Sequence, residues 1–272
     1  MNRPFPTGGG FWLGRIGSMI QIPDYAATLT ETTEDIQYDT LLGGNRIAWV
    51  PAGHPRRTWK VSVDRLDPHQ LGPLQELRAA DPTTPWWMVT PWALAVNLLS
   101  PAMCDLPALV PGGMRPTVEG DRVVRSWLVG PGAVVRCGPV PVVRGVPVTA
   151  SAWLQGGTDA RVGLEFLDLA GRVVGMRSTL LDPLAGAMER VHVTADVPAG
   201  AVAANLYVTQ PTSFARPAVS WTARPAEWGV GTGAPAVMVD GLETAMVRAR
   251  VDPTPGWRLQ DISFTVQEVR DA

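Results

Sequence analysis

Short runs in which apolar and polar residues alternate recur along the chain and predict β-strands. The first clear run is Thr58 to Asp64, where Trp59, Val61 and Val63 fall on one face. The same period of two returns in four later segments, at residues 148–154, 162–166, 191–195 and 262–266. Short strands with turn residues about every 8–12 positions are typical of a β-sandwich or a jelly roll.

One segment departs from this period and predicts a short helix. Asp67 is a suitable N-cap, and Pro68 suits the first helical position. Pro73 predicts a kink or a restart, because proline removes a helical hydrogen bond. The apolar face of this helix consists of three leucines at helical spacing, Leu71, Leu74 and Leu77.

Composition narrows the fold class. The 272 residues include 28 glycines and 26 prolines, about a fifth of the chain against a usual share of about 12%. Glycine and proline at this frequency interrupt long helices and so exclude a helical bundle or a coiled coil. A hydrophobic share of 46% excludes a disordered chain. We therefore expect a mostly-β protein.

The charge balance limits the classes of partner. There are 23 basic and 25 acidic residues, so the electrostatic footprint of a nucleic-acid or anionic-membrane binder is missing from the sequence. No apolar run approaches the roughly 18 residues of a membrane span, and the N-terminus lacks the apolar region of a signal peptide. We expect a chain that is made in the cytoplasm and stays there. Lys60 is the only lysine among many arginines, which suggests a GC-rich genome.

The residues that commonly carry catalysis do not form a known pattern. Cys104 and Cys137 lie outside any Cys-x-x-Cys motif and are expected to be reduced thiols. The three histidines match no metal-binding motif, so neither a metal nor a cofactor is predicted. Glu165 and Asp168 could form a glycosidase pair, but residues three apart on a strand point to opposite faces. The sequence predicts a protein that is not an enzyme.

Two aperiodic segments are predicted to be connections. Gly229 to Gly233 lacks the glycine spacing of a phosphate loop, and no helix follows it, so it is predicted to be a flexible linker. Residues 102–122 are rich in proline, glycine and small apolar residues. They are either a connector or the first irregular strand of a second unit.

Eleven tryptophans raise the question of ligand stacking. Trp127, Trp221 and Trp228 lie outside the clean alternation and are the candidates for holding sugar rings on their indole faces. Packing in a core or an interface is the alternative for each of them. Trp153 is expected in the core.

Motifs near both ends of the chain resemble one family. They are Ile22-Pro23, Leu41 to Gly44, Arg57 to Trp59, the helix from Leu71 to Leu77, Pro91 to Ala93 followed by Asn97 to Pro101, and the closing strand Ile262 to Val269. In this set the chain resembles the distal tail proteins of siphophages, which are often catalogued among actinobacteriophages as minor tail proteins.

Motifs in the middle of the chain resemble a different module. Pro147 to Trp153, Leu164 to Gly171 and Pro198 to Ala201 are similar to segments of jelly rolls of the carbohydrate-binding-module type. The combined resemblance implies a discontinuous tail-tube-like β-sandwich with one short helix at residues 1–103 and 234–272. It also implies an inserted jelly-roll domain at residues 104–233.

The resemblance further implies a function. The chain would be a structural virion protein of a phage tail tip, forming a ring, commonly a hexamer in the family, that connects the tail tube to the baseplate or tip proteins. Its partners would be copies of itself, the tail tube protein, the tape measure protein and baseplate hub or tip proteins. It would be assembled in the host cytoplasm. The alternative is a carbohydrate-binding adhesin whose inserted domain contacts glycans of the host surface.

Overall fold

The computed structural model describes residues 10–23, 27–33, 37–40, 46–49, 56–66, 72–73, 75–76, 86–105, 114–119, 122–128, 134–156, 159–181, 188–211, 213–249 and 258–269. The chain divides into two compact units. The first comprises residues 1–14, 20–88 and 236–272, and the second comprises residues 15–19 and 89–235. Residues 89–103 thus group with the second unit, whereas the predicted domain boundary lies after residue 103.

The first unit is built around one sheet. Its strands are β1 (Gly10–Arg15), β2 (Ser18–Pro23), β3 (Ala27–Thr33), β6 (Arg57–Leu66), β7 (Trp86–Val89), β17 (Ala234–Ala249) and β18 (Arg258–Glu268). They form a seven-stranded sheet in the order β2-β1-β7-β17-β18-β6-β3. A separate hairpin is formed by β4 (Gln37–Thr40) and β5 (Arg46–Trp49).

The core of this sheet follows the predicted alternation. Trp59, Val61 and Val63 of β6 are buried, while the residues between them are exposed. Antiparallel pairing brings the buried residues of β18 to the same face: Ile262 lies opposite Val63, Phe264 opposite Val61 and Val266 opposite Trp59. Strands about 200 positions apart in the sequence therefore share one apolar layer.

The predicted helix can be compared with the structure only in part. Residues 72–73 and 75–76 are helical. Leu71, Leu74 and Leu77, which define its predicted apolar face, lie outside the described residues, as does the motif Leu41 to Gly44. The tail-tube-like identity of the first unit stays a prediction.

The second unit contains two short helices and two antiparallel sheets. The helices are α1 (Pro91–Ala95) and α2 (Pro101–Asp105). The strands are β8 (Met114–Glu119), β9 (Arg122–Leu128), β10 (Val134–Pro141), β11 (Pro147–Gln155), β12 (Arg161–Leu167), β13 (Val173–Leu180), β14 (Glu189–Asp196), β15 (Ala203–Thr209) and β16 (Ser213–Ser220). One sheet has the order β10-β15-β12-β13, and the other has the order β14-β11-β16-β9-β8. The eight strands β9 to β16 divide equally between the sheets as in a jelly roll, and the mostly-β fold class is confirmed.

The jelly roll buries the face that its alternation predicts. Val148, Ala150, Ala152 and Leu154 of β11 are fully buried. Trp153 points the other way and is half-buried, packed against Met188 and Ala215. Trp153, which the sequence places in the core, packs on this small hydrophobic cluster and on the face opposite to Val148 and Leu154, because successive side chains on a strand alternate between faces.

Asn97 ties the segment that enters the jelly roll to the segment that leaves it. We call residues 94–104 and 217–233 the junction. The side chain of Asn97 is fully buried. Its Nδ2 donates to the carbonyl oxygens of Pro217 and Gly229, both at 3.1 Å. Its Oδ1 accepts from the backbone N–H groups of Leu99 at 3.2 Å and Val219 at 3.1 Å.

The glycine-rich run within the junction is packed rather than flexible. The backbone N–H groups of Thr232 and Gly233 donate to the carbonyl oxygens of Asn97 and Leu99. A Cβ atom on Gly231 would lie 2.1 Å from the carbonyl oxygen of Leu99. The predicted flexible linker is therefore wrong: here glycine permits close approach of two backbones.

Candidate functional site

The three tryptophans singled out by the sequence lie in different settings. Trp127 is in β9, where its backbone pairs with Phe214, and its side chain lies outside the described residues. Trp221 is 2% exposed, and its Nε1 donates to the carbonyl oxygen of Pro141 at 3.1 Å. A buried and hydrogen-bonded indole presents no face to a sugar, so packing accounts for Trp221. Trp228 is half-buried in the segment after β16.

The structure brings Trp228 together with Trp153 through an arginine. The guanidinium carbon of Arg216 lies 5.4 Å from the ring centroid of Trp228 and 5.8 Å from that of Trp153. Both distances are within the range of cation–π interactions. The three side chains form a stack on the face of the five-stranded sheet that points away from the jelly-roll core.

A bulge in β16 directs Arg216 into this stack. The register between β11 and β16 shifts between Ser151 and Trp153, and Arg216 adopts a φ of 52°. Bulges re-aim side chains out of the regular alternation. The sequence carried no signal for this stack, since alternation alone does not reveal where a bulge falls.

Arg190 adds a second guanidinium to the same face. It lies opposite Trp153 in the register of β11 and β14. Its Nη2 donates to Ser151 Oγ at 3.1 Å and to the carbonyl oxygen of Ala226 at 2.6 Å. Burial lowers the pKa of Arg190. Within the described residues, the buried Arg190 Nε and Trp153 Nε1 have no acceptor.

An open cleft lies beside this face. It has a volume of about 480 Å³ and is lined by Thr179 and Leu180 of β13 and by residues 189–194 of β14. These two strands are the edge strands of their sheets. The cleft thus opens along one side of the jelly roll.

The two carboxylates weighed as a catalytic pair are each held by an arginine. Glu165 accepts two hydrogen bonds from Arg136, from Nε and Nη2, both at 2.8 Å, and this contact raises the pKa of Arg136. Asp168 accepts from the backbone and side chain of Arg172, which lowers the pKa of Asp168. Both groups therefore have structural partners in place.

The remaining chemistry of the described residues is limited. Neither Cys104 nor Cys137 is in a disulfide, and burial together with the neighbouring Cys104 raises the pKa of Cys137. Among the residues that the structure describes, no group of three or more His, Cys, Asp and Glu side chains is placed to hold a metal ion. None of the described helices is long and apolar enough to cross a membrane.

No known protein family matches this chain, and no curated protein sequence matches it. The enzymatically active domain of tailspike protein 4 from bacteriophage CBA120 is similar at 16% identity and a TM-score of 0.36, over 49% of this chain and 22% of that one. The arabinose-bound MgGH51 α-L-arabinofuranosidase is similar at 13% identity and a TM-score of 0.30, over 47% and 26% of the two chains. The VP2 subviral particle of infectious bursal disease virus is similar at 7% identity and a TM-score of 0.27, over 95% and 64%.

The chain spans between about a fifth and two thirds of the length of these proteins. TM-scores this low establish neither a shared fold nor a shared function.

Proposed function

We propose that this chain is a structural protein of a phage tail tip, where copies of it form a ring between the tail tube and the baseplate or tip proteins. The observation that carries the proposal is the insertion of one β unit into another. β7 and β17 are neighbours in the seven-stranded sheet, yet β7 ends at Val89 and β17 begins at Ala234. This arrangement is the one that the resemblance to distal tail proteins implies, and it therefore supports the proposal.

A ring needs two different contact surfaces on each copy, because a head-to-tail contact that repeats about an axis closes on itself. We assign one of them to the edge strand β3. Five of its seven residues are exposed, and an uncovered edge offers unpaired backbone groups to a neighbouring chain. Thr28 and Thr30 lie on this edge and are exposed.

The mass of the full chain in solution tests this assignment. Light scattering should give a multiple of the chain mass, near six if the family's usual ring forms, and negative-stain images should show rings. Replacing Thr28 and Thr30 by lysine should reduce the mass to that of one chain, since lysines block edge pairing. Val134→Lys, an exposed valine in β10 of the jelly roll, is the matched control and should leave the mass unchanged. A chain that stays monomeric at every concentration would contradict the proposal.

A second candidate function is glycan binding by the jelly roll, as in a host-surface adhesin. The stack of Trp153, Arg216 and Trp228 favours it, because indole faces and guanidinium groups both bind sugars. Binding to host cell-wall polysaccharide should fall by about tenfold in Trp228→Ala, an effect typical of a central aromatic contact. Trp221→Phe, which changes a buried indole, should leave binding unchanged. If the ring forms but does not bind polysaccharide, glycan binding is contradicted and only the structural role is supported.

A further inference from the structure

The edge strand β13 carries apolar side chains that nothing in the described structure covers. Seven of its eight residues are exposed. Val173, Val174, Met176 and Leu180 are each between 41% and 51% exposed, and Leu169 in the preceding turn is 78% exposed. Folded proteins rarely leave a long apolar edge strand open, because it is a template for pairing with another chain.

The opposite edge of the same sheet is protected. β10 contains Pro139 and Pro141, which have no N–H to donate, and its register breaks between Cys137 and Val140. β13 contains no proline, and Arg177 is its only charged residue. The contrast indicates that β10 is closed to an added strand while β13 is open to one.

The two faces of β13 would offer different surroundings to an added strand. Met176 lies opposite Glu165, and Leu180 lies opposite Arg161. These side chains are on the outer face of the sheet. Arg177 lies opposite the buried Leu164 and points to the inner side of the sheet.

Arg177 makes the inner side of β13 favourable for a negatively charged side chain on an added strand. Arg177 is exposed and takes part in none of the ion pairs among the described residues. A carboxylate on an added strand would therefore find an uncompensated guanidinium beside it.

We propose that β13 is the docking site for an extended segment of another protein, which adds a fifth strand to the four-stranded sheet. Main-chain hydrogen bonds would supply affinity and alternate side chains specificity, as in other cases of strand addition. The segment has apolar side chains that pack on Met176 and Leu180 and an acidic side chain beside Arg177. At about 3.3 Å per residue, β13 accommodates a strand about 26 Å long.

A different protein suits this edge better than a second copy of β13. A second β13 carries an arginine, and no acid, to place beside Arg177. The inference does not depend on the proposed function, since a strand of any partner with this pattern would bind in the same way.

Two fluorescent peptides and the full chain test the proposal. Both peptides alternate valine with threonine, and the central threonine is replaced by glutamate in one and by lysine in the other. Fluorescence anisotropy should show that the glutamate peptide binds about tenfold more tightly than the lysine peptide, a factor typical of one close charge pair. Arg177→Glu should reverse this preference.

Met176→Lys should weaken the glutamate peptide by about tenfold or more, because lysine blocks an edge. The matched control is Val134→Lys, at an exposed valine of the protected edge β10, which should bind the peptide normally. Circular dichroism verifies that each variant is folded. Failure of the glutamate peptide to bind at millimolar concentration would overturn the proposal, as would equal binding by Met176→Lys. Self-association of the chain that Met176→Lys abolishes would assign the edge to a second copy and overturn the choice of partner.

Discussion

The junction buries its apolar residues, whereas strand β13 of the β12–β13 hairpin exposes them. In the junction, Leu98 and Leu99 are fully buried although their segment has no regular period. In the hairpin, β13 is a regular strand, yet its apolar residues Val174 and Met176 are exposed. The difference teaches that local pattern predicts the backbone, whereas burial depends on which other segment covers it. Substitutions in the two regions should therefore differ widely in their effect on stability.

Asn97→Ala should have the largest effect. It removes the five hydrogen bonds of this side chain and leaves the carbonyl oxygen of Gly229 and the N–H groups of Leu99 and Val219 without their Asn97 partner. Leaving these groups unpaired should lower the free energy of unfolding by about 3–5 kcal/mol. Urea unfolding followed by fluorescence measures this, and Asn97→Asp should lose at least as much, because it buries a carboxylate against the carbonyl oxygens of Pro217 and Gly229. A loss below about 1 kcal/mol would mean that the junction is not held by Asn97.

Gly231→Ala should come next. The new methyl group would meet the carbonyl oxygen of Leu99 and the sulfur of Cys104, at 2.1 and 2.8 Å before any adjustment. Backbone displacement of this kind costs about 1–3 kcal/mol. Gly72→Ala is the control, because nothing lies within 4 Å of its added Cβ. Equal stability of the two variants would restore the interpretation of 229–233 as a flexible linker.

The sequence predicted the alternating strands and little of the candidate site. The buried faces of β6 and β11 follow from a period of two, which depends only on strand geometry. The stack of Trp153, Arg216 and Trp228 depends on a bulge, and the anchoring role of Asn97 depends on carbonyl groups about 120 and 132 positions away. Such features arise from tertiary contacts, so a single sequence gives no local signal for them.

Asp168→Asn should have a smaller effect, confined to the turn of the β12–β13 hairpin. Asp168 Oδ1 accepts from the backbone N–H groups of Ala170 and Arg172, and its Oδ2 accepts from Arg172 Nε at 2.8 Å. Hydrogen bonds from Arg172 lower the pKa of Asp168 below the ordinary aspartate value of about 3.9.

The sign of the pH dependence follows from that direction. Because the pKa is lower in the folded chain, the stabilisation is present above the ordinary aspartate value and is lost as pH falls through the folded value. The wild type should therefore lose its advantage over Asp168→Asn in acid. NMR titration of the carboxyl group and thermal unfolding at neutral and acid pH measure this. A pKa at or above the ordinary value would remove the basis of the prediction.

Val174→Thr should have the smallest effect on stability and gives the sharpest test of the contrast. Val174 is 41% exposed on β13, whereas Val162 on the neighbouring strand β12 is fully buried. The same substitution at the two sites places a hydroxyl in water in one case and in the core in the other. We expect a change within about 0.5 kcal/mol for Val174→Thr and a loss of about 1–3 kcal/mol for Val162→Thr. If urea unfolding gave equal losses, β13 would be covered in the protein in solution, and its edge would be an interface between copies rather than a site open to a partner strand.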